Sequence, residues 1–153
     1  MIEELRRLPN QQHLTHKSRV EIETVKDSEI IFVDGVAIAF RRKGELAPVL
    51  TNTSALDSMP RVVVDMGAVP HVAGGADIMA PGIRNVNGDF GEKQFLVVVD
   101  EKHGKYLAVG RALIGSGPMR ATKKGKVVEN FHYVGDLVWE VIKPKGPAAP
   151  SSS

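Results

Sequence analysis

The 153-residue chain contains no cysteine. Disulfide frameworks, zinc ribbons and thiol catalysis are excluded by that absence alone. No apolar run approaches the ~20 residues that a membrane-spanning helix needs. The opening Met1-Ile-Glu-Glu-Leu-Arg-Arg-Leu lacks the apolar stretch of a secretory signal. A cytoplasmic chain with no membrane partner is therefore expected. No Gly-Lys-Ser/Thr completes a phosphate loop, and no Gly-x-Ser-x-Gly elbow presents a nucleophile. His13 and His16 have helical ligand spacing but no neighbouring carboxylate, and Pro9 disfavours the helix they would need. The residues thus predict no metal, no cofactor and no catalytic group: a binding protein, not an enzyme.

What is present suits a folded chain. Hydrophobic residues make up 42% and charged residues 25%, enough apolar surface for a real core. The net charge of +2 is unevenly spread. Residues 1–60 hold eight Lys/Arg against nine Asp/Glu, a net of −1, whereas residues 61–153 hold twelve against nine, a net of +3. Between Glu101 and Glu129 there is no acid, while Lys102, Lys105, Arg111, Arg120, Lys123, Lys124 and Lys126 all fall in that stretch. A local basic surface is expected there.

Most of the chain reads as short strands. Val20–Val25 alternates, and Asp34-Gly35 separates two apolar runs, the mark of a tight hairpin. Leu46–Leu50 predicts a further strand, and Thr51–Ser58 a short helix capped by Asn52 or Thr53. Beyond Pro60 the composition shifts. Arg61-Val-Val-Val predicts a buried strand, Gly67–Gly75 a short helix closed by Gly74-Gly75, and Phe95–Asp100 with Tyr106–Ile114 a central hairpin. Val127–Val134 and Leu137–Ile142 are expected as the last strands. Asp65, Asp77, Asp100 and Asp136 sit where short carboxylates cap turns. Many short strands with few helices predict a mostly β barrel or α+β arrangement, as one medium domain or two small ones, with a boundary near Pro60 that divides residues 1–60 from 61–143 and a flexible tail at 144–153.

The second half resembles a PUA domain. Val64-Asp-Met-Gly-Ala-Val-Pro-His-Val-Ala-Gly-Gly-Ala-Asp-Ile-Met-Ala-Pro-Gly-Ile is similar to the opening of that family, and Ala108-Val-Gly-Arg-Ala to its central hairpin. Gly125–Glu140 resembles the C-terminal part of a subfamily that includes the malignant T-cell amplified sequence proteins, ligatin and archaeal relatives. Val33–Leu50 resembles that subfamily's pre-PUA domain, although residues 1–17 are shorter and more mixed in charge than its basic leading segment. The resemblance implies an N-terminal pre-PUA α/β domain packed on a PUA pseudobarrel. It implies binding to structured RNA (the tRNA acceptor region or rRNA of the small ribosomal subunit), in initiation or recycling, beside a density-regulated-type partner. The alternatives are a protein-interaction adaptor or an accessory subunit of an RNA-modifying enzyme.

Three groups are candidate RNA contacts. Gly67, Ala68, His71, Gly74 and Ala76 surround the expected short helix, where small residues let a nucleotide approach the backbone. Arg111, Lys123, Lys124 and Lys126 come from the acid-free stretch. Arg41, Arg42 and Lys43 form a compact cationic turn suited to phosphate.

Overall fold

Period-two patterning in the first half becomes four antiparallel strands, ordered β1 (Val20–Val25), β2 (Ser28–Val33), β3 (Val36–Arg42) and β4 (Glu45–Pro48). The computed structural model describes residues 1–144, so nearly all of the expected tail, from 145 on, lies outside the described residues. Asp34 and Gly35 both take positive φ, +50° and +83°, as the tight β2–β3 hairpin requires. A short helix, α1 (Ile2–Arg6), lays Leu5 on one face of this sheet with Ile31, Val33 and Ala39. Asn52 caps α2 (Thr53–Leu56), its side chain accepting from the Ala55 N–H.

The remaining strands form a second sheet. They are β5 (Arg61–Val64), β6 (Ile78–Met79), β7 (Ile83–Asn87), β8 (Phe95–Asp100), β9 (Tyr106–Ala112) and β10 (Lys126–Tyr133), in spatial order β6-β10-β9-β8-β5-β7. The two outermost strands, β6 and β7, are joined through the single helical turn Ala80–Gly82. The sheet therefore curls until its ends are neighbours, which gives the expected pseudobarrel. Helix α3 (Val69–Ala73) lies between β5 and β6, and α4 (Ser116–Ala121) between β9 and β10.

Strand β8 shows why its run is apolar throughout. Leu96 and Val98 face the interior of the curled sheet, while Val97 and Val99 face the N-terminal sheet. A strand buried on both sides needs no polar alternation. The second face belongs to a cluster shared by both sheets: Ile30, Phe40, Val49 and Leu56 pack with Val97, Val99, Val109 and Phe131. Phe131 sits edge-on to Phe95 at 5.2 Å and tilted to Phe40 at 6.2 Å. Each such side chain contributes about 1.5–3 kcal/mol by leaving water, so the two sheets hold each other by burial.

A polar lock crosses the same boundary. His132 is fully buried. Its Nε2 accepts from the Leu50 N–H at 3.1 Å, and its Nδ1 lies 2.9 Å from Asp136 Oδ2. A backbone N–H can only donate, so Nε2 is the bare nitrogen and Nδ1 carries the proton toward Asp136.

The C-terminal expectation needs correction. Leu137–Ile142 is not a strand but a helix, α5. Asp136 starts it by accepting from the Trp139 N–H at 2.7 Å, which satisfies a donor that a helix start leaves free. Strand β7 and helix α4 have no counterpart in the sequence pattern. Gly74 does not supply the left-handed end of α3; Gly75 does, at φ +90°. A Cβ there would also meet the Tyr133 ring at 2.9 Å.

Candidate functional site

Asp65 ends β5 and turns the chain. Its Oδ1 accepts from the Ala68 N–H at 2.8 Å, and this turn starts α3, with Pro70 preset in the first helical turn. Val72 faces the core, which leaves His71 exposed on the outer side. After α3, Asn130 of β10 fixes the return: its amide donates to Val72 O and Ala76 O, both at 3.1 Å, and its own N–H donates to Asp77 Oδ1 at 2.8 Å. The buried Asn130 Oδ1 has no partner among the described residues.

Between α3 and the Ala80–Gly82 turn lies a cleft of about 600 Å³. Ala68, Ala76, Ile78, Met79 and Pro81 make its walls mainly apolar, and Asp65, His71, Asp77 and Lys126 place ionisable groups around it. Gly82 approaches α3 so closely that a Cβ would stand 3.2 Å from the Ala68 Cβ. Met79 is 48% exposed, so it adds apolar surface to the mouth of the cleft. Lys126 Nζ pairs with Asp77 Oδ2 at 3.0 Å, so its charge is held at the cleft's edge.

The sequence-derived candidates divide. Ala68, His71, Ala76 and Lys126 come together in this cleft. Gly67 and Gly74 are exposed beside α3 without lining it, and Lys123 and Lys124 are exposed in the turn before β10. Arg111 does not face them. It pairs with Glu45 of the N-terminal sheet at 3.5 Å, not with Asp100 or Glu101 across its hairpin. The basic turn is likewise occupied: Arg41 with Glu4 at 2.9 Å, Arg42 with Asp27 at 3.2 Å and Phe131 O at 2.9 Å, Lys43 with Glu129 at 3.0 Å. Met79, Pro81, Asp65 and Asp77 were not anticipated as site residues. The sequence signal for Asp77, Met79 and Pro81 was the Ala-Asp-Ile-Met-Ala-Pro-Gly run, and for Asp65 the Val-Asp-Met-Gly turn, in which the aspartates read only as turn caps.

No group of three or more His, Asp or Glu among the described residues could hold a metal ion. No helix among them is long and apolar enough to cross a membrane.

The PUA domain family profile matches residues 60–134, the segment that carries α3, the cleft and Lys126. Translation machinery-associated protein 20 of Saccharomyces cerevisiae is 32% identical over 131 residues, spanning 80% of this chain and 72% of that protein. The chain belongs to this family of PUA-domain proteins. An uncharacterized protein of Methanocaldococcus jannaschii is 43% identical over 126 residues, covering 80% of this chain and 76% of its own length. Malignant T-cell-amplified sequence proteins are also among the relatives, as the motifs implied. Among solved structures, a hypothetical protein from Pyrococcus horikoshii OT3 superposes with a TM-score of 0.77 at 37% identity, with 92% of both chains covered. In this PUA domain the cleft therefore occupies the Gly-Ala motif region, and the Ala-Val-Gly-Arg hairpin lies on the side turned toward the N-terminal sheet.

Proposed function

We propose that this PUA protein binds structured RNA of the translation apparatus, with the α3 cleft as the centre of its contact surface. The observation that carries the reading is the cleft: apolar walls for an unstacked base, with His71 and Lys126 at its edge to meet phosphate. Asp65 and Asp77 are placed to accept from base amino groups or ribose hydroxyls. The role is binding without a chemical step, carried out in the cytoplasm. The RNA is the tRNA acceptor region or rRNA of the small ribosomal subunit, in initiation or recycling. Family membership supports the translational setting, since a relative bears the name translation machinery-associated protein 20.

Ala76→Trp tests the reading by filling the cleft from an exposed position. Fluorescence anisotropy with tRNA and small-subunit rRNA fragments should show at least a tenfold loss, with unchanged melting. Wild-type affinity should itself drop by roughly tenfold or more between ~50 and ~200 mM salt, because phosphates dominate binding. Undiminished binding by a folded Ala76→Trp protein overturns the site; absence of binding by the wild type overturns the function.

A second reading, a protein adaptor for a density-regulated-type partner, is favoured by one observation. β1 is the outer strand of its sheet, and Ile22 on it is 49% exposed. An open strand edge with an uncovered apolar residue is a template for another chain.

A further inference from the structure

A second, smaller cleft of about 190 Å³ lies on the other side of the Ala80–Gly82 turn, between β7 and α4. Arg84, Asn85 and Val86 of β7 line one wall, and Met119, Arg120 and Thr122 the other. The α3 cleft and three further surface clefts all include an aspartate. This one combines two arginines with no acid. Arg120 is held in place: it donates to Gly88 O at 2.7 Å and to Val86 O at 3.3 Å, and its pairing with the almost fully exposed Asp89 is loose, at 3.6 Å. Arg84 is 63% exposed in its side chain, and its nearest carboxylate, Glu101, stands at 3.8 Å. A guanidinium with so little intramolecular engagement retains a free fork of donors.

The two clefts flank the same turn. Ala80 lines one while Pro81 and Gly82 line the other, and the Ala80 N–H donates to Gly125 O at 2.8 Å. That bond docks the segment Arg120–Lys126 against the turn that separates them. The segment begins in the small cleft with Arg120 and Thr122 and ends in the α3 cleft with Lys126. Between these ends stand Lys123 and Lys124, both exposed and in no ion pair among the described residues. From this arrangement we infer that the β7–α4 cleft is a second phosphate subsite, in which Arg84 and Arg120 grip the backbone of the RNA segment leading away from the nucleotide in the α3 cleft.

This inference rests on the RNA-binding reading above, and the test separates the two. The probe is an RNA hairpin ending in a short single-stranded tail, titrated by anisotropy at several salt concentrations. Arg84→Glu changes an exposed side chain and should leave the melting temperature unaltered. It is expected to weaken binding about tenfold or more, as for loss of a charge-assisted contact. The slope of log affinity against log salt should also fall by roughly one, the mark of one lost phosphate contact. Arg84→Lys should restore the salt slope and only part of the affinity, because an ammonium keeps the charge without the fork. Should Arg84→Glu bind with wild-type affinity and slope while Ala76→Trp does not bind, RNA binding stands and the second subsite is refuted. If the wild type does not bind, the RNA reading itself falls.

Discussion

The substitution His132→Phe separates packing from hydrogen bonding at the boundary between the two sheets. Phenylalanine keeps the ring, so the edge-on contact with Phe40, now at 5.0 Å, survives in outline. Two hydrogen bonds do not. The Leu50 N–H loses its acceptor in a residue only 4% exposed. An orphaned buried donor costs about 1–3 kcal/mol. Asp136 loses one of its three donors but keeps those of Tyr133 and Trp139. Loss of a hydrogen bond to a charged group costs about 1.5–3 kcal/mol, and the retained bonds favour the low end. The sum is about 2.5–5 kcal/mol, a large part of the ~5–15 kcal/mol by which a domain is stable. At roughly 2–4 °C per kcal/mol for a chain of this size, melting should fall by about 5–20 °C. Urea unfolding followed by Trp139, the single tryptophan and a residue of α5 next to the lock, reads the effect directly. The midpoint should drop with an unchanged denaturant slope. A His132→Phe protein as stable as the wild type would refute the claim that the lock, beyond the apolar cluster, holds the sheets together.

Two further outcomes follow from the same charges. Burial pushes the Asp136 carboxyl up, but the His132 contact and the Trp139 and Tyr133 N–H bonds outweigh it and hold it below the ordinary 3.8. A depressed folded value means stability that is present above pH 3.8 and lost as pH falls through the lowered value, so Asp136→Asn should flatten the acid limb of a stability–pH curve measured by urea titration. Arg111→Ala removes the Glu45 pair, in which the side chains are 21% and 45% exposed. It should cost roughly 1 kcal/mol or less of stability and leave RNA affinity near wild type, whereas a tenfold affinity loss without a melting change would restore Arg111 as a phosphate contact.

The strands that pack on both sides or alternate cleanly were legible from the sequence: Phe95–Asp100, Tyr106–Ala112 and the Asp34-Gly35 hairpin all stand where pattern placed them. Strand β7 was not legible, because as an outer strand it buries only Val86 fully and shows no period-two apolar run. Helix α4 was not legible because Gly117 and Pro118 are poor helix formers by type, yet both fall in its first turn, where proline's missing N–H costs nothing. The apolar run Leu137–Ile142 looked like a strand by composition. Asp136, following Gly135 at φ +106°, decided the matter through a cap that only three-dimensional geometry confirms. At the site, the small residues flanking α3 were visible as a motif, but Met79 and Pro81 gain their meaning from the fold that brings them opposite His71.

Charge is the property that sequence distance distorts most. Arg41, Arg42 and Lys43 are adjacent in the chain, which suggested a single cationic patch. The pleat sends successive side chains to opposite faces, so Arg41 meets Glu4 on the α1 side and Arg42 reaches Asp27 and Phe131 O on the other. Lys43, at the turn, finds Glu129, a partner 86 positions away. The acid-free stretch is divided in the same manner: Glu45 and Asp77 come from distant segments to neutralise Arg111 and Lys126. The Lys43–Glu129 and Arg111–Glu45 pairs tie the β3–β4 turn of the N-terminal sheet to β9 and β10. Lys123 and Lys124, in the loop before β10, are exposed and in no ion pair among the described residues. A phosphate approaching the face between the two clefts therefore meets the unpaired ammonium groups of Lys123 and Lys124, flanked by Arg120 and Lys126.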